Sequence, residues 1–352
     1  MTIDDHKSHL VNLGKFLGQF QLTNSLLNPD IPGSEKFFQE MEQKIDASIH
    51  YNGWFNRENI VFSLQQWSKA LTPENIQIWL DKYNFSNSGG KTVGIVMAGN
   101  IPMVGFHDFL SVIISGNKVL AKLSSQDQQL LPVIAAYLMH LDERYETRIE
   151  FTKEKLENFD AVIATGSNNT ARYFEYYFKD KISIIRKNRN SVAILTGNET
   201  KEELEALSDD VFRYYGLGCR NVSKLYVPEG YDFDSFFKAM YKWNPIINQD
   251  KYANNYDYNK AVYLMSEFKL LDNGFLMLKE DESFGSPIGT LFYETYKDAT
   301  DLDKILSENR EKIQCIVKKN PANGEVNFGK TQQPQLWDYA DDVDTIKFLL
   351  EI

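Results

Sequence analysis

The chain has 352 residues, 43% of them hydrophobic and 25% charged, the composition of an ordinary globular protein. At ~150 residues per domain this length corresponds to about two domains. A net charge of −11 repels phosphate backbones and anionic lipid, which argues against nucleic acid or a membrane surface as the main partner. Cys219 and Cys315 are the two cysteines; a pair excludes a disulfide scaffold and a cysteine-rich metal site, and leaves room for one reactive thiol.

The amino terminus, MTIDDHKSHL, is acidic and polar, without the apolar core of a signal peptide. No run approaches the ~20 apolar residues of a membrane helix, so the expected location is the cytoplasm. Residues 1–85 read as a helical region packed on the domain C-terminal to it, with helices over 34–49, 57–71 and 73–83. Ser34 is positioned to cap the first of these, and Thr72 with Pro73 marks another start.

From Lys91 the texture changes. KTVGIVMAGN is a near-continuous apolar run, the pattern of a strand buried on both faces. A helix over 104–115 and a strand over 118–123 come next. Strands over 148–151, 160–164, 182–186 and 192–195 are separated by helices over 126–141 and 170–179. This alternation predicts a doubly wound parallel sheet over 86–210, and such sheets bind ligands at the carboxyl ends of their strands. Strands over 223–227, 261–264, 274–278, 289–293 and 312–317 predict a second α/β unit over 211–326. Residues 327–352 form a tail rich in Asp and aromatic side chains.

Four segments carry candidate chemistry. Gly216-Leu217-Gly218-Cys219-Arg220-Asn221 stands directly before VSKLYVP. Glycines let backbone approach a ligand closely, and Arg220 beside the thiol favours thiolate, the reactive form; equally, cysteine is a common small buried residue. Asn100, in Gly-Asn-Ile-Pro at the end of the first buried strand, is either a donor to a developing oxyanion or a turn residue serving its own backbone. Thr165-Gly166-Ser167 opens a helix, where free N–H groups attract phosphate and serine is also a plain cap. Lys122-Leu123-Ser124-Ser125 closes the second strand, where a dinucleotide's adenosine ribose would lie. No carboxylate occurs after it until Asp127, so this edge tolerates a 2′-phosphate; alternatively Lys122 is a solvated loop lysine.

Taken in order, these segments resemble the motifs of the aldehyde dehydrogenase superfamily. Glu282-Ser283-Phe284-Gly285-Ser286-Pro287 is similar to its Glu-x-Phe-Gly-Pro segment, with Ser286 as an extra residue. Within the superfamily the chain resembles the LuxC-type acyl-CoA reductases, through AGNIPMVGFHDFLSVIISGNKVLAKLSSQD, VIATGSNNTARYFEYYF, GLGCRNVSKLYVP and FGKTQQPQLWDYADDVDTIKFL. The resemblance implies an aldehyde dehydrogenase-like α/β fold with a cofactor domain and a catalytic domain meeting at a cleft. It implies reduction of acyl-CoA by NADPH to a fatty aldehyde, through a thioester on Cys219. Asn100 and the Cys219 backbone N–H would hold the oxyanion. Lys122, Ser124 and Ser125 would meet the adenosine ribose, Thr165, Gly166 and Ser167 the pyrophosphate, and Glu282 and Phe284 the nicotinamide end. It further implies a homo-oligomer, with 338–352 able to supply an interface, and a protein partner that delivers acyl groups.

One departure is informative. Hydrolytic members carry a glutamate in Glu-Leu-Gly-Gly-Lys, where it activates water; the corresponding stretch, 185–191, reads IRKNRNS and has no carboxylate. Hydrolysis of an acyl-enzyme should then be slow. The basic charge of this stretch is either a phosphate contact or a solvated face. His107 either shuttles a proton or packs beneath the site, and packing is the favoured reading. The competing functions are a hydrolytic aldehyde dehydrogenase, which the missing glutamate disfavours, and a catalytically silent partner-binding subunit.

Overall fold

In a computed structural model the described residues are 1–86, 89–322 and 324–352. They form two compact units: Met1–Lys187 with Gln335–Ile352, and Asn188–Pro334. Among the described residues no helix is long and apolar enough to cross a membrane.

The first unit begins with α1 (Ile3–Leu17), which opens on a capping box: the Thr2 hydroxyl accepts from the Asp5 N–H and the Asp5 carboxylate from the Thr2 N–H. Sequence reading missed this helix, although Leu10, Leu13, Phe16 and Leu17, all buried, recur at helical spacing. Helix α2 (Ser34–Tyr51) corrects the expected cap. Gly33, at φ 73°, holds that position, and Ser34 is buried with its hydroxyl donating to Gln19 Oε1 at 2.7 Å. Asn56 caps α3 (Arg57–Ala70), and Thr72 with Pro73 starts α4 (Pro73–Leu80).

The wound sheet comes next: β1 (Thr92–Val96), α5 (Phe106–Ile114), β2 (Lys118–Lys122), α6 (Leu130–Leu141), β3 (Ile149–Thr152), β4 (Ala161–Thr165), α7 (Asn168–Tyr177) and β5 (Ile182–Arg186). The strands are all parallel in the order β3-β2-β1-β4-β5. The order changes direction between β1 and β4, the switch point at which loops splay apart and ligands enter such sheets. Helices α1 to α6 share a large core with the sheet, in which Phe16 stacks on Tyr137 at 4.2 Å.

The second unit contains β6 (Asn190–Ile194), α8 (Lys201–Phe212), β7 (Val222–Pro228), α9 (Asp234–Met240), α10 (Asp250–Met265), β8 (Leu270–Asp272), β9 (Met277–Glu280), β10 (Thr290–Tyr296), α11 (Ala299–Glu308) and β11 (Ile313–Val317). Its sheet runs β11-β6-β7-β10-β9-β8, parallel except for the β8–β9 pair. The segment 192–195, grouped by sequence with the preceding strands, thus lies in this sheet. The segment 261–264, expected as a strand, lies inside α10. Gln249 caps that helix, and Val262 and Leu264 are exposed, so the short apolar run reflects neither a stripe nor a core. Helix α12 (Thr345–Glu351) returns to the first unit, where Ile346 and Leu349 are buried.

Candidate active site

In the first unit the singled-out residues gather at the carboxyl end of the parallel sheet. Asn100 is exposed in the turn after β1. That turn is shaped from below: the buried Asn52 side-chain amide donates to the Gly99 carbonyl at 3.1 Å. Gly99 also lies against the neighbouring turn after β2, so closely that a Cβ there would sit 2.5 Å from Ser124 Oγ. Ser124 Oγ accepts the Gln126 N–H at 3.2 Å, while Ser125 is exposed. Lys122 is the last residue of β2 and half-buried; its carbonyl accepts the Met97 N–H at 3.1 Å.

Asp127, which sequence reasoning named only as the first carboxylate after β2, clamps the two turns. Its Oδ2 accepts the N–H of Met103 at 2.7 Å, and Met103 is held in left-handed backbone at φ 61°. Burial pushes the Asp127 carboxyl up to about 6, against the opposing pull of that N–H. The third turn, after β4, carries Thr165, Gly166 and Ser167. Ser167 caps α7 by accepting the Thr170 N–H at 3.2 Å, and a Cβ on Gly166 would lie 2.9 Å from Thr170 Cβ.

The basic stretch that begins at the end of β5 is not a solvated face throughout. Arg186 is buried, ion-paired to Asp108, and donates to Thr345 Oγ1 at 3.0 Å, tying α12 to the sheet. Lys187 pairs with Glu175 at 2.6 Å. His107 packs among Trp67, Trp79 and Tyr339, with Nε2 at 2.8 Å from the Leu336 carbonyl oxygen. Burial lowers its pKa. A cavity of about 570 Å³ lies at the opposite, amino end of this sheet, by Gly90, Gly116 and Arg148, and takes in none of the turns above.

The second unit holds the cysteine. The chain leaves α8 through three consecutive left-handed residues, Tyr214 (φ 54°), Tyr215 (φ 59°) and Gly216 (φ 76°). Two bulky residues in that region are strained, and such strain survives only where surroundings over-determine it. Here they do. Asn221, 2% exposed, accepts the Gly218 N–H through Oδ1 at 2.9 Å and donates through Nδ2 to the carbonyls of Asp210 and Arg213 at 3.0 and 2.8 Å. Ser191 Oγ donates to the Cys219 carbonyl at 3.0 Å. Cys219 itself is exposed, and Cys315 is buried on β11.

Arg220 does not present its whole guanidinium to the thiol, since Nε donates to the Thr331 carbonyl at 2.5 Å. Thr331 is fixed in turn by Asp210. That buried carboxylate accepts from the Gly329 N–H at 2.6 Å, the Thr331 N–H at 3.0 Å and Thr331 Oγ1 at 2.9 Å. Burial pushes Asp210 up to about 6, opposed by these hydrogen bonds. Glu282 is exposed and Phe284 buried, on the loop after β9. Ser223 Oγ donates to the Phe284 carbonyl at 2.7 Å, so this loop is anchored to the strand just beyond Cys219. Asn221, Asp210, Ser191 and Ser223 carry no individual signal in the sequence. A buried polar residue of this kind looks like any loop or strand polar residue until its distant partners are known.

The two α/β units together have the aldehyde dehydrogenase fold. The whole chain superposes on 84% of aldehyde dehydrogenase 21 from Physcomitrella patens, solved with succinate, at TM-score 0.66 and 14% identity. An indole-3-acetaldehyde dehydrogenase of P. syringae, solved with NAD+, matches 93% of this chain and 74% of its own at TM-score 0.60 and 12% identity. An E. coli NADP dependent enzyme matches 92% of this chain and 74% of its own at 0.61 and 12%. No curated protein matches the chain. Residues 51–241 match the model of the acyl-CoA reductase (LuxC) family, and the chain belongs to that family. Membership and fold support reductase chemistry on acyl-CoA or aldehyde.

Proposed function

We propose that the protein is an NADPH-dependent acyl-CoA reductase: acyl-CoA + NADPH + H⁺ → aldehyde + CoA + NADP⁺. The observation that carries this reading is the exposed Cys219 on a turn whose strained backbone is held from several sides. A thiol fixed in that way is a nucleophile pre-positioned for acyl transfer. The Cys219 thiolate attacks the thioester carbonyl, the new S–C bond forms, and the CoA thiolate leaves. As the resemblance implies, we assign the oxyanion donors to Asn100 and the Cys219 backbone N–H.

A reduced nicotinamide, when bound, would supply hydride to the Cys219 thioester, and the sulfur would leave as the Cys219 thiolate as aldehyde forms. The residues present fit such a cofactor. Thr165, Gly166 and Ser167 stand at a helix start beside the switch point, which suits a pyrophosphate. We assign the adenosine ribose to Lys122, Ser124 and Ser125, at the carboxyl end of β2. Asp127, the first carboxylate after β2, is engaged by the Met103 N–H, and Lys122, Ser124 and Ser125 themselves bring no negative charge against a 2′-phosphate. Glu282 and Phe284 would meet the nicotinamide end. The stretch 185–191 lacks a carboxylate that could activate water, which favours reduction over hydrolysis. The resemblance adds a protein partner that supplies acyl groups and a pairing of chains.

The test is to mix purified protein with NADPH and acyl-CoAs of graded chain length and follow the absorbance of the reduced cofactor. Oxidation of NADPH with release of one CoA per aldehyde is expected, with NADH a poorer donor. No loss of NADPH at any chain length would overturn the proposal, and a preference for NADH would overturn its ribose argument.

A further inference from the structure

The second unit contains a lysine that the reaction above does not use. Lys224, on β7, has a side chain with no exposed surface. A buried ammonium is costly unless its donors are met. Two of the three are met by acceptors: Nζ donates to the Glu282 carbonyl at 2.8 Å and pairs with Glu294 Oε2 at 2.6 Å. The ammonium also lies 5.0 Å from the centre of the Phe284 ring and 5.2 Å from that of Tyr226, favourable contacts for a cation.

Two of these contacts belong to one short loop. The same loop is tied down at neighbouring points. Lys279 pairs with Asp281, whose other oxygen accepts the Ser283 N–H at 2.8 Å. Ser223 Oγ, next to Lys224 in the chain, donates to the Phe284 carbonyl at 2.7 Å. The carbonyls of 282 and 284 are therefore both drawn onto β7, while the Glu282 side chain remains exposed. A residue needed only for charge balance within the sheet would have Glu294 as sufficient partner. Lys224 instead spends a donor on a loop carbonyl 58 positions away.

We infer that Lys224 is a positioning residue for the cofactor: by holding the Glu282 carbonyl and the Phe284 ring it fixes the loop that presents Glu282 to the nicotinamide end. The inference rests on the reading of Glu282 and Phe284 given above. It separates from that reading because the first half of the reaction, transfer of acyl to Cys219, needs no reduced cofactor.

The experiment uses the full chain and two measurements, acyl transfer from acyl-CoA to Cys219 without cofactor, and NADPH affinity from cofactor fluorescence and KM. In Lys224→Met the KM and dissociation constant for NADPH should rise about tenfold to a hundredfold, with acyl transfer within about twofold of the parent rate. Glu294→Gln removes the ion pair but keeps the lysine on the loop; it should lower the melting temperature with NADPH affinity little changed. Should Lys224→Met fail to fold, Ser223→Ala removes a neighbouring loop anchor and should raise the NADPH KM severalfold. Unchanged NADPH affinity in Lys224→Met, or in Ser223→Ala where that variant stands in, overturns the inference. So does an equal loss of affinity in Lys224→Met and Glu294→Gln, because the effect then tracks stability alone. A parent protein that neither acylates nor binds NADPH overturns the underlying reading instead.

Discussion

The two places that carry the candidate site residues are built differently. The turns of the first unit are the ends of regular elements. Ser167 caps α7 through a residue three positions away, and Asn100 lies directly beyond an ordinary buried strand. The Cys219 turn of the second unit is irregular. Its left-handed run is held by Asn221 from within ten residues, by Ser191 across 28 positions and, through Arg220 and Asp210, by a segment more than 110 positions away. A helix-start cap such as Ser167 thus arises from a local rule, whereas the strained Cys219 turn needs partners from across its unit. A substitution at that cap should therefore act locally, and one at the Cys219 turn should spread.

The largest effect expected is at Asn100, the proposed oxyanion donor. Asn100→Ala should lower kcat/KM by about 10²–10³-fold with the melting temperature unchanged, measured by steady-state NADPH oxidation. A fall in stability without a fall in rate would make Asn100 a turn residue and remove the first unit's part in catalysis.

Next comes the brace of the second unit. Asp210→Asn cannot accept from Gly329 and Thr331 as the carboxylate does, and should destabilise by about 1–3 kcal/mol, read as a lower urea midpoint. Asp210 also fixes the sign of a pH effect. Its folded pKa, about 6, lies above the ordinary 3.8, so the folded state binds more protons between these values. Stability from this group is greatest below pH 4 and is lost as pH rises through about 6. Asp210→Asn should remove that contribution, so that its stability penalty is larger at pH 4 than at pH 7. An equal penalty at both would mean the carboxylate titrates normally. The variant should also lose acyl transfer to Cys219, which would show that the strain is held at a distance.

The smallest effect belongs to the local cap. Ser167→Ala should lose about 1 kcal/mol of helix stabilisation and weaken NADPH binding a few fold, with acyl transfer to Cys219 intact. If acyl transfer fell as well, the contrast between a local cap and a distributed turn would not hold.

The same contrast explains what was legible. Strand β1 announces itself as a near-continuous apolar run, β2 follows the Gly116-Asn117 turn, and Thr72-Pro73 announces α4, because burial on both faces, turns and capping are local properties. Helix α1 escapes notice because its acidic opening looks like a disordered terminus unless Thr2 and Asp5 are paired as a capping box. The 261–264 run misleads because its apolar residues face solvent on α10, and Ser34 because a left-handed glycine takes its place as cap. Of the candidate site, the positions of the turns are legible from motif order. The contacts that shape them, Asn52 on Gly99, Asp127 on Met103 and Asp210 on Thr331, join residues 24 to 121 positions apart and have no sequence period to betray them.

The central claim is that Cys219 carries the acyl group. Trypsin cleaving after Arg213 and Arg220 releases residues 214–220 as one peptide. Protein incubated with an acyl-CoA in the absence of reduced cofactor, digested and weighed by mass spectrometry, should show the acyl mass on that peptide. The adduct should be removable by hydroxylamine and absent from Cys219→Ala. Acylation that persists in Cys219→Ala, or that appears only on the peptide holding Cys315, would contradict the account.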